Sequence, residues 1–229
     1  MTEPGNVVAE RDRSIVTREG DVVRKRYRRP DRRNDVERAA YRHLSGYSAP
    51  VPRLIEATDD GIVLEAIANV GDYEAALRSG HAVEATRALG RAYAALHDVP
   101  PAGPPTEQRL EVEHLHAWYD AIGVAAPDLG WVTAVFDAPG PMLAFSHGDP
   151  APSNTMMRAD GEVVLVDFEY AGARHRGYDL AGWHVLCPLA PALLDALHDG
   201  TLVRHDAAVA FCDDLELLVR RPVHTSRAA

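Results

Sequence analysis

Asp149, Asn154 and Asp167 are oxygen-bearing side chains set at short intervals along "SHGDPAPSNTMMRADGEVVLVDFEY", residues 146–170. Moving a phosphoryl group requires a positioned phosphate, a divalent cation to neutralise its charge, and an acceptor that orients the attacking hydroxyl and can take its proton. The stretch offers these parts. Asp149 follows the apolar run "MLAF" in a loop stiffened by Pro150 and Pro152, where a carboxylate is exposed at the end of a fixed element. Asn154, five residues on, brings a neutral oxygen suited to a hard cation such as Mg²⁺. Asp167 ends the run "VVLVD" after the Asp160-Gly161 turn, and a hairpin there returns it beside Asn154. Asp is depleted in strands and sits badly after four apolar positions, so Asp167 reads as functional. Asp149 and Asn154 also have a plainer reading as turn formers.

The elements that must hold these groups can be read from periodicity. "SIVTREGDVVRKRY" is a hairpin around Glu19-Gly20-Asp21, in which alternation puts Val23, Lys25 and Tyr27 on the inward face. "RPDRRNDVERAAYRHLSG" reads as a helix stopped by Gly46, and "VPRLIEATDDGIVLEAI" as a second hairpin around Asp60-Gly61. From Gly71 the texture turns helical: an amphipathic helix over 81–99, a proline loop over 100–105, and helices near 107–122 and 128–138. Short strands at "MLAF" and "VVLVDF" bracket the loop, and helices resume over 178–187 and 203–220. A small sheet with one helix, followed by helices, is an α+β order with two lobes and a break near 68–72.

Composition narrows the classes. With 229 residues, 46% hydrophobic and 25% charged, the chain matches a soluble globular protein. No run approaches 18 apolar residues, and the N-terminus lacks the basic start and apolar centre of a signal peptide. Cys187 and Cys212 imply no disulfide framework, so a cytoplasmic location is expected. A formal net charge of −10 argues against nucleic acid as the main partner. Arginines crowd residues 11–42, whereas Asp195, Asp199, Asp206, Asp213, Asp214 and Glu216 make the C-terminal part acidic. His81, His97, His114 and His116 form no convincing zinc set.

"HGDPAPSN" resembles the His-x-Asp-(four residues)-Asn catalytic loop, and "DFE" the metal-binding motif, of the kinase fold. Gly after His, and "DFE" in place of "DFG", are similar to the aminoglycoside phosphotransferase and choline kinase-like family. "DVERAAYRHLSGYSAPVPRLIEA" upstream and "GYDLAGW" downstream extend the likeness over roughly residues 14–186. The resemblance implies a bilobal protein-kinase-like fold, with a small antiparallel-sheet N-lobe carrying one helix and a mainly helical C-lobe. Residues 1–69 would be the nucleotide-binding lobe, and residues 70–229 the catalytic and acceptor-binding lobe. Asp149 would be the catalytic base, Asn154 and Asp167 would be Mg²⁺ ligands, and Lys25 would contact the phosphates of ATP or GTP. Glu37 would pair with Lys25, although a one-residue shift in register would put Arg24 or Arg26 there instead. The connector of Glu65, Ala66 and Ile67 would meet the nucleotide base. His147 would brace the loop, and Asp179 would receive backbone amides beneath it. Glu169 is open between supporting the metal and facing solvent.

Two departures from the family pattern stand out. "NVVAERDRSIV" lacks a Gly-x-Gly, which would let backbone amides approach phosphates closely, although the resembled family is often glycine-poor there. Only about sixty residues follow "DFE", a short tail for an acceptor pocket. The expected activity is a small-molecule kinase acting on a hydroxyl, in a monomer or homodimer without nucleic-acid or membrane partners. An aminoglycoside-like acceptor suits the acidic tail, and a neutral or zwitterionic metabolite suits an open pocket. The alternative is a nucleotide-binding pseudokinase acting as a scaffold, but its signature would be loss of Asp149, Asn154 or Asp167. A protein kinase is disfavoured because no Ala-Pro-Glu-like segment follows "DFE".

Overall fold

The computed structural model describes residues 6–101, 112–121, 123, 125, 130, 134, 137–185, 187 and 189–201. Its first part is an antiparallel sheet of β1 (Asn6–Glu10), β2 (Ser14–Glu19), β3 (Val22–Tyr27), β4 (Leu54–Thr58) and β5 (Gly61–Glu65), in the order β1-β2-β3-β5-β4. The β2–β3 hairpin pairs Val16 with Lys25 and Ser14 with Tyr27, which fixes which β3 side chains turn inward. The β4–β5 turn falls at Asp59-Asp60, one residue before the expected position, because Gly61 already pairs with Arg26 and Thr58.

Between β3 and β4 lies α1 (Arg32–Leu44). Asp31 caps it by accepting a hydrogen bond from the Arg33 amide at 3.0 Å. The inner face of α1 buries Glu37, Ala40, Tyr41 and Leu44, the spacing of a helix with one apolar side.

After the sheet come β6 (Asn69–Asp72), α2 (Tyr73–Leu77) and α3 (Ala82–His97). Then follow α4 (Val112–Ala121), β7 (Leu143–Ser146), β8 (Thr155–Arg158), β9 (Val163–Leu165) and β10 (Gly172–His175). α5 (Gly177–Val185) and α6 (Pro191–Thr201) complete the described elements. β6, β8 and β9 form one small sheet, and β7 and β10 another. Of the expected helices, 203–220 and most of 128–138 lie outside the described residues, as do 102–105 of the proline loop. α6 is not predicted by the sequence reading. It crosses α3 backbone to backbone: a Cβ on Gly90 would lie 2.2 Å from the Leu197 carbonyl oxygen, and one on Gly200 2.1 Å from that of Arg87. Two glycines facing each other are what permit that approach.

The core runs through both parts of the chain. Phe168 is fully buried, edge-on to Tyr41 of α1 at 5.3 Å and against the His147 ring at 4.5 Å. Trp183 is likewise buried, edge-on to Tyr73 at 5.4 Å, and donates its indole N–H to the Tyr93 hydroxyl at 3.2 Å. Aromatic pairs of this kind contribute about 0.5–1.5 kcal/mol each beyond their buried area. Phe168 therefore ties the segment after β9 to the helix that carries Glu37.

Candidate active site

Lys25 reaches inward from β3 and Glu37 from α1. Their side chains are 13% and 2% exposed, so the pair is largely shielded from water. Lys25 Nζ donates to Glu37 Oε1 at 2.9 Å and to Asp167 Oδ1 at 2.6 Å. The neighbouring Arg24 and Arg26 face outward, so the register puts the lysine in this position. The Tyr27 hydroxyl donates to Glu37 Oε2 at 3.0 Å. Burial pushes the Glu37 carboxyl up, to about 7, against the opposing pull of Lys25. Burial lowers the affinity of Lys25 for its proton, but Glu37 and Asp167 together outweigh it and raise its pKa.

A pH prediction follows from Glu37. Its native pKa lies above the ordinary 4.5, so the folded chain holds the proton more tightly than the unfolded chain. Stability from this group is therefore lost as pH rises from about 4.5 to about 7, by about 3 kcal/mol in all. Glu37→Gln removes the titration. Its stability relative to wild type rises across that window in chemical denaturation at pH 5 and pH 8. A difference that is flat with pH would show that Glu37 does not titrate there.

Asp167 lies just beyond β9, and the strand stops at Leu165, earlier than the run "VVLVDF" suggests. The Leu165 amide donates to Pro50 O at 2.8 Å and the Val166 amide to Asn154 O at 3.0 Å, after which the chain turns. Asp167 itself takes a left-handed φ of 68°, the only non-glycine among the described residues to do so. Such a conformation costs about 1–3 kcal/mol and persists where its surroundings over-determine it, as at functional sites. The hairpin β8–β9 pairs Thr155 with Leu165, which brings the Asn154 and Asp167 segments side by side.

Asp149 follows β7. Asn154, buried in a single 3-10 turn at Pro152–Asn154, donates its Nδ2 to Asp149 Oδ2 at 2.9 Å and to the Asp149 carbonyl at 3.0 Å. That fixes the carboxylate and directs the other amide atom, Oδ1, away from it. The loop before Asp149 is closely built. Gly148 has φ +83°, and a Cβ there would lie 2.1 Å from the Tyr170 carbonyl oxygen. His147 is buried and donates Nε2–H to Val166 O at 2.9 Å, while its Nδ1 accepts from the Asp149 amide at 3.3 Å. One ring thus links the loop to the backbone just before Asp167.

Asp179, at the start of α5, is fully buried. Its Oδ1 accepts from Ser146 Oγ and the Gly148 amide, and its Oδ2 from the His147 amide, each at 2.9 Å. His97 of α3 adds a fourth bond to Oδ2 at 3.1 Å. Burial alone would raise this carboxyl, but the His97 hydrogen bond, with His147 and the Gly148 amide behind it, holds it at about 2. The sequence reading of His97 as part of no metal set misses this role. The signal is its place on the buried stripe of α3, four residues after Tyr93 and eight after Leu89.

In the connector after β5 the first two amides already have partners. The Glu65 amide donates to Arg53 O at 2.9 Å and the Ala66 amide to Asp21 O at 2.8 Å, so both donors are committed within the sheet. The Glu65 carboxylate is exposed and paired with Arg53 at 3.0 Å. Ile67 is partly buried. Glu169 does not simply face solvent: its Oε1 lies 3.5 Å from Arg13 Nη2, and Arg33 donates to the neighbouring Tyr170 hydroxyl at 2.7 Å.

Solved structures share this architecture. The chain matches the streptomycin–ATP ternary complex of APH(2")-IIa with a TM-score of 0.68 at 13% identity, over 94% of this chain and 82% of that one. A choline/ethanolamine kinase family protein from Mesorhizobium loti matches with a TM-score of 0.65 at 18% identity, over 99% and 81%. Macrolide 2'-phosphotransferase MphH from Brachybacterium faecium matches with a TM-score of 0.61 at 18% identity, over 93% and 81%. No curated protein matches the sequence. The fold is thus the bilobal, protein-kinase-like one. The model of the phosphotransferase enzyme family, APH, matches residues 8–212, nearly the whole length, and the chain belongs to that family.

Proposed function

We propose that the chain transfers the γ-phosphate of ATP or GTP, with Mg²⁺, to a hydroxyl of a small molecule, either aminoglycoside-like or another metabolite. The observation that carries this reading is one continuous constellation: Lys25 bridges Glu37 and Asp167, and the Asn154 side chain clasps Asp149 in the adjoining loop. In it Lys25 contacts nucleotide phosphates, as a compact ammonium suits, and Glu37 keeps it in place. Asp149 orients the acceptor hydroxyl and takes its proton, with its rotamer set beforehand by Asn154. His147 and Asp179 hold the loop from below. The base of the nucleotide lies at Glu65, Ala66 and Ile67, and meets groups there other than the committed Glu65 and Ala66 amides. Residues 1–69 form the nucleotide lobe and residues 70–229 the catalytic and acceptor lobe, in a cytoplasmic monomer or homodimer.

The donor set fits Mg²⁺. Asp167 offers a carboxylate and Asn154 the oxygen that its bond to Asp149 leaves over, both hard ligands. A pair of protein ligands is usual where waters and substrate phosphates complete the octahedron. When bound, the ion would supply charge neutralisation on the group being transferred. Similar proteins in nucleotide complexes, APH(2'')-Ib with ADP and APH(2")-IIia with GDP and kanamycin, support nucleotide use.

The test is transfer of label from γ-labelled ATP or GTP, with Mg²⁺, to a panel of aminoglycosides, macrolides, amino alcohols and sugars. Label in one compound, with wild type and not with Asp149→Ala, is the expected result. Nucleotide that binds without any label moving would favour a binding role, and no nucleotide binding would overturn the reading.

A further inference from the structure

The β1–β2 turn carries "RDR" where a phosphate-binding turn would carry glycines. It closes when the Arg11 amide donates to Ser14 O at 2.9 Å, and every residue in it has a Cβ. Backbone amides in such a turn cannot approach a polyphosphate as closely as those of a glycine-rich one. The turn instead projects Arg13 toward the segment after β9. Arg13 Nη2 lies 3.5 Å from Glu169 Oε1, and Nη1 lies 3.6 Å from Asp31 Oδ2. Both distances are long for charge-assisted hydrogen bonds, which run at about 2.7–2.9 Å. Nη1 is buried and donates no hydrogen bond. The guanidinium is therefore held by one long bond to Glu169 and by its proximity to Tyr170 and Asp31, with Nη1 left without a hydrogen bond.

Its surroundings explain why a cation is needed there. Asp167 and Glu169 are carboxylates two residues apart, with Asp31 also within reach of Arg13. Lys25 is already shared between Glu37 and Asp167. A polyphosphate arriving beside Asp149, Asp167 and Glu169 meets carboxylates, and Arg13 is the second cation that reaches their segment. Lys25 comes from β3 and Arg13 from the turn directly before β2, and β2 and β3 are paired strands of one sheet. The two cations thus approach the Asp167–Glu169 segment from the same side of the molecule.

We propose that Arg13 supplies, from a side chain, the phosphate contact that this turn's backbone cannot make, moving from Glu169 and Asp31 onto the β- or γ-phosphate of the bound nucleotide. A planar guanidinium presents paired donors that match two phosphate oxygens. The inference rests on the nucleotide-binding reading and is separable from it.

The experiment is calorimetric titration of wild type, Arg13→Gln and Arg13→Lys with AMP, ADP and ATP in the presence of Mg²⁺. Arg13→Gln is expected to weaken ADP or ATP by about tenfold to a hundredfold, to leave AMP unchanged, and to be partly restored in Arg13→Lys. An Arg13→Gln variant that binds ADP and ATP as tightly as wild type overturns the inference while the nucleotide reading stands. An equal loss for AMP also overturns it, and assigns Arg13 to supporting the turn. Wild type binding none of the three, nor GMP, GDP or GTP, overturns the nucleotide reading and this inference with it.

Discussion

Asp149→Ala is expected to lower kcat by about three orders of magnitude, within the range a positioned acid or base contributes. Nucleotide affinity should stay within about twofold, because no uniform binding interaction is removed. Asp149 has its hydrogen bonds inside its own loop, from Asn154 and through its amide to His147. Of the groups assigned to the nucleotide and its metal, Lys25, Glu37 and Asp167 are bonded to one another and not to Asp149, and Asn154 keeps its bond to the Asp149 main-chain carbonyl in the Ala variant. Truncating Asp149 therefore removes the acceptor's partner and leaves the donor's cradle. Asp149→Asn refines the result. It keeps an oxygen able to orient a hydroxyl but cannot take the proton, so an Asn variant as slow as Ala identifies proton acceptance as the larger part. Single-turnover transfer from γ-labelled ATP, with nucleotide Kd measured alongside, separates these cases. Activity surviving in Asp149→Ala would remove Asp149 from the mechanism, and a matching fall in affinity would make the loop a structural support of the nucleotide site.

The sequence made these residues legible to the extent that local pattern encodes them. Lys25 could be placed on the inward face because alternation along "VVRKRY" has a period of two, and Val23 and Tyr27 flank it at that period. The loop from His147 to Asn154 stood out because polar residues and prolines follow an apolar strand. What could not be read were partnerships across long separations. His97 and Asp179 are 82 residues apart, Arg13 and Glu169 156, and nothing in either neighbourhood names the other. The end of β9 is not legible either, since apolar composition favours continuing the strand. A backbone bond to Pro50, distant in sequence, and one to Asn154 across the hairpin close it at Leu165. α6 is hidden for a related reason: its fit to α3 depends on Gly90 meeting Gly200, and Gly200 lowers the helix propensity of its own segment taken alone.

Replacing Asp179 should produce the largest loss of stability. The carboxylate is fully buried and accepts from Ser146 Oγ, two successive amides and His97. Asp179→Ala leaves those donors facing an apolar void, and removing one partner of a buried charged network costs about 3–5 kcal/mol. Set against a total of about 5–15 kcal/mol for a folded domain, that is a large fraction of the whole. For a chain of this size it lowers Tm by about 10 °C or more. Asp179→Asn should be little better, because each carboxylate oxygen accepts from two donors and an amide NH₂ would confront one of those pairs. Ser146→Ala, which removes a single donor, should cost only about 1 kcal/mol. The acid limb of stability carries the same signature. With its pKa held at about 2, against 3.8 ordinarily, Asp179 stabilises the fold above pH 3.8, and that contribution is lost as pH falls through 2. The amount is about 2 kcal/mol, and it should be missing from the pH dependence of the Asn variant. Function should fall with stability, since the amides that Asp179 holds are those of His147 and Gly148, directly before Asp149. Denaturation curves for the Ala, Asn and Ser146→Ala variants at pH 3 and pH 7 decide the point: if Asp179→Asn were as stable as wild type at both, the carboxylate would be only a space-filling group beneath the loop.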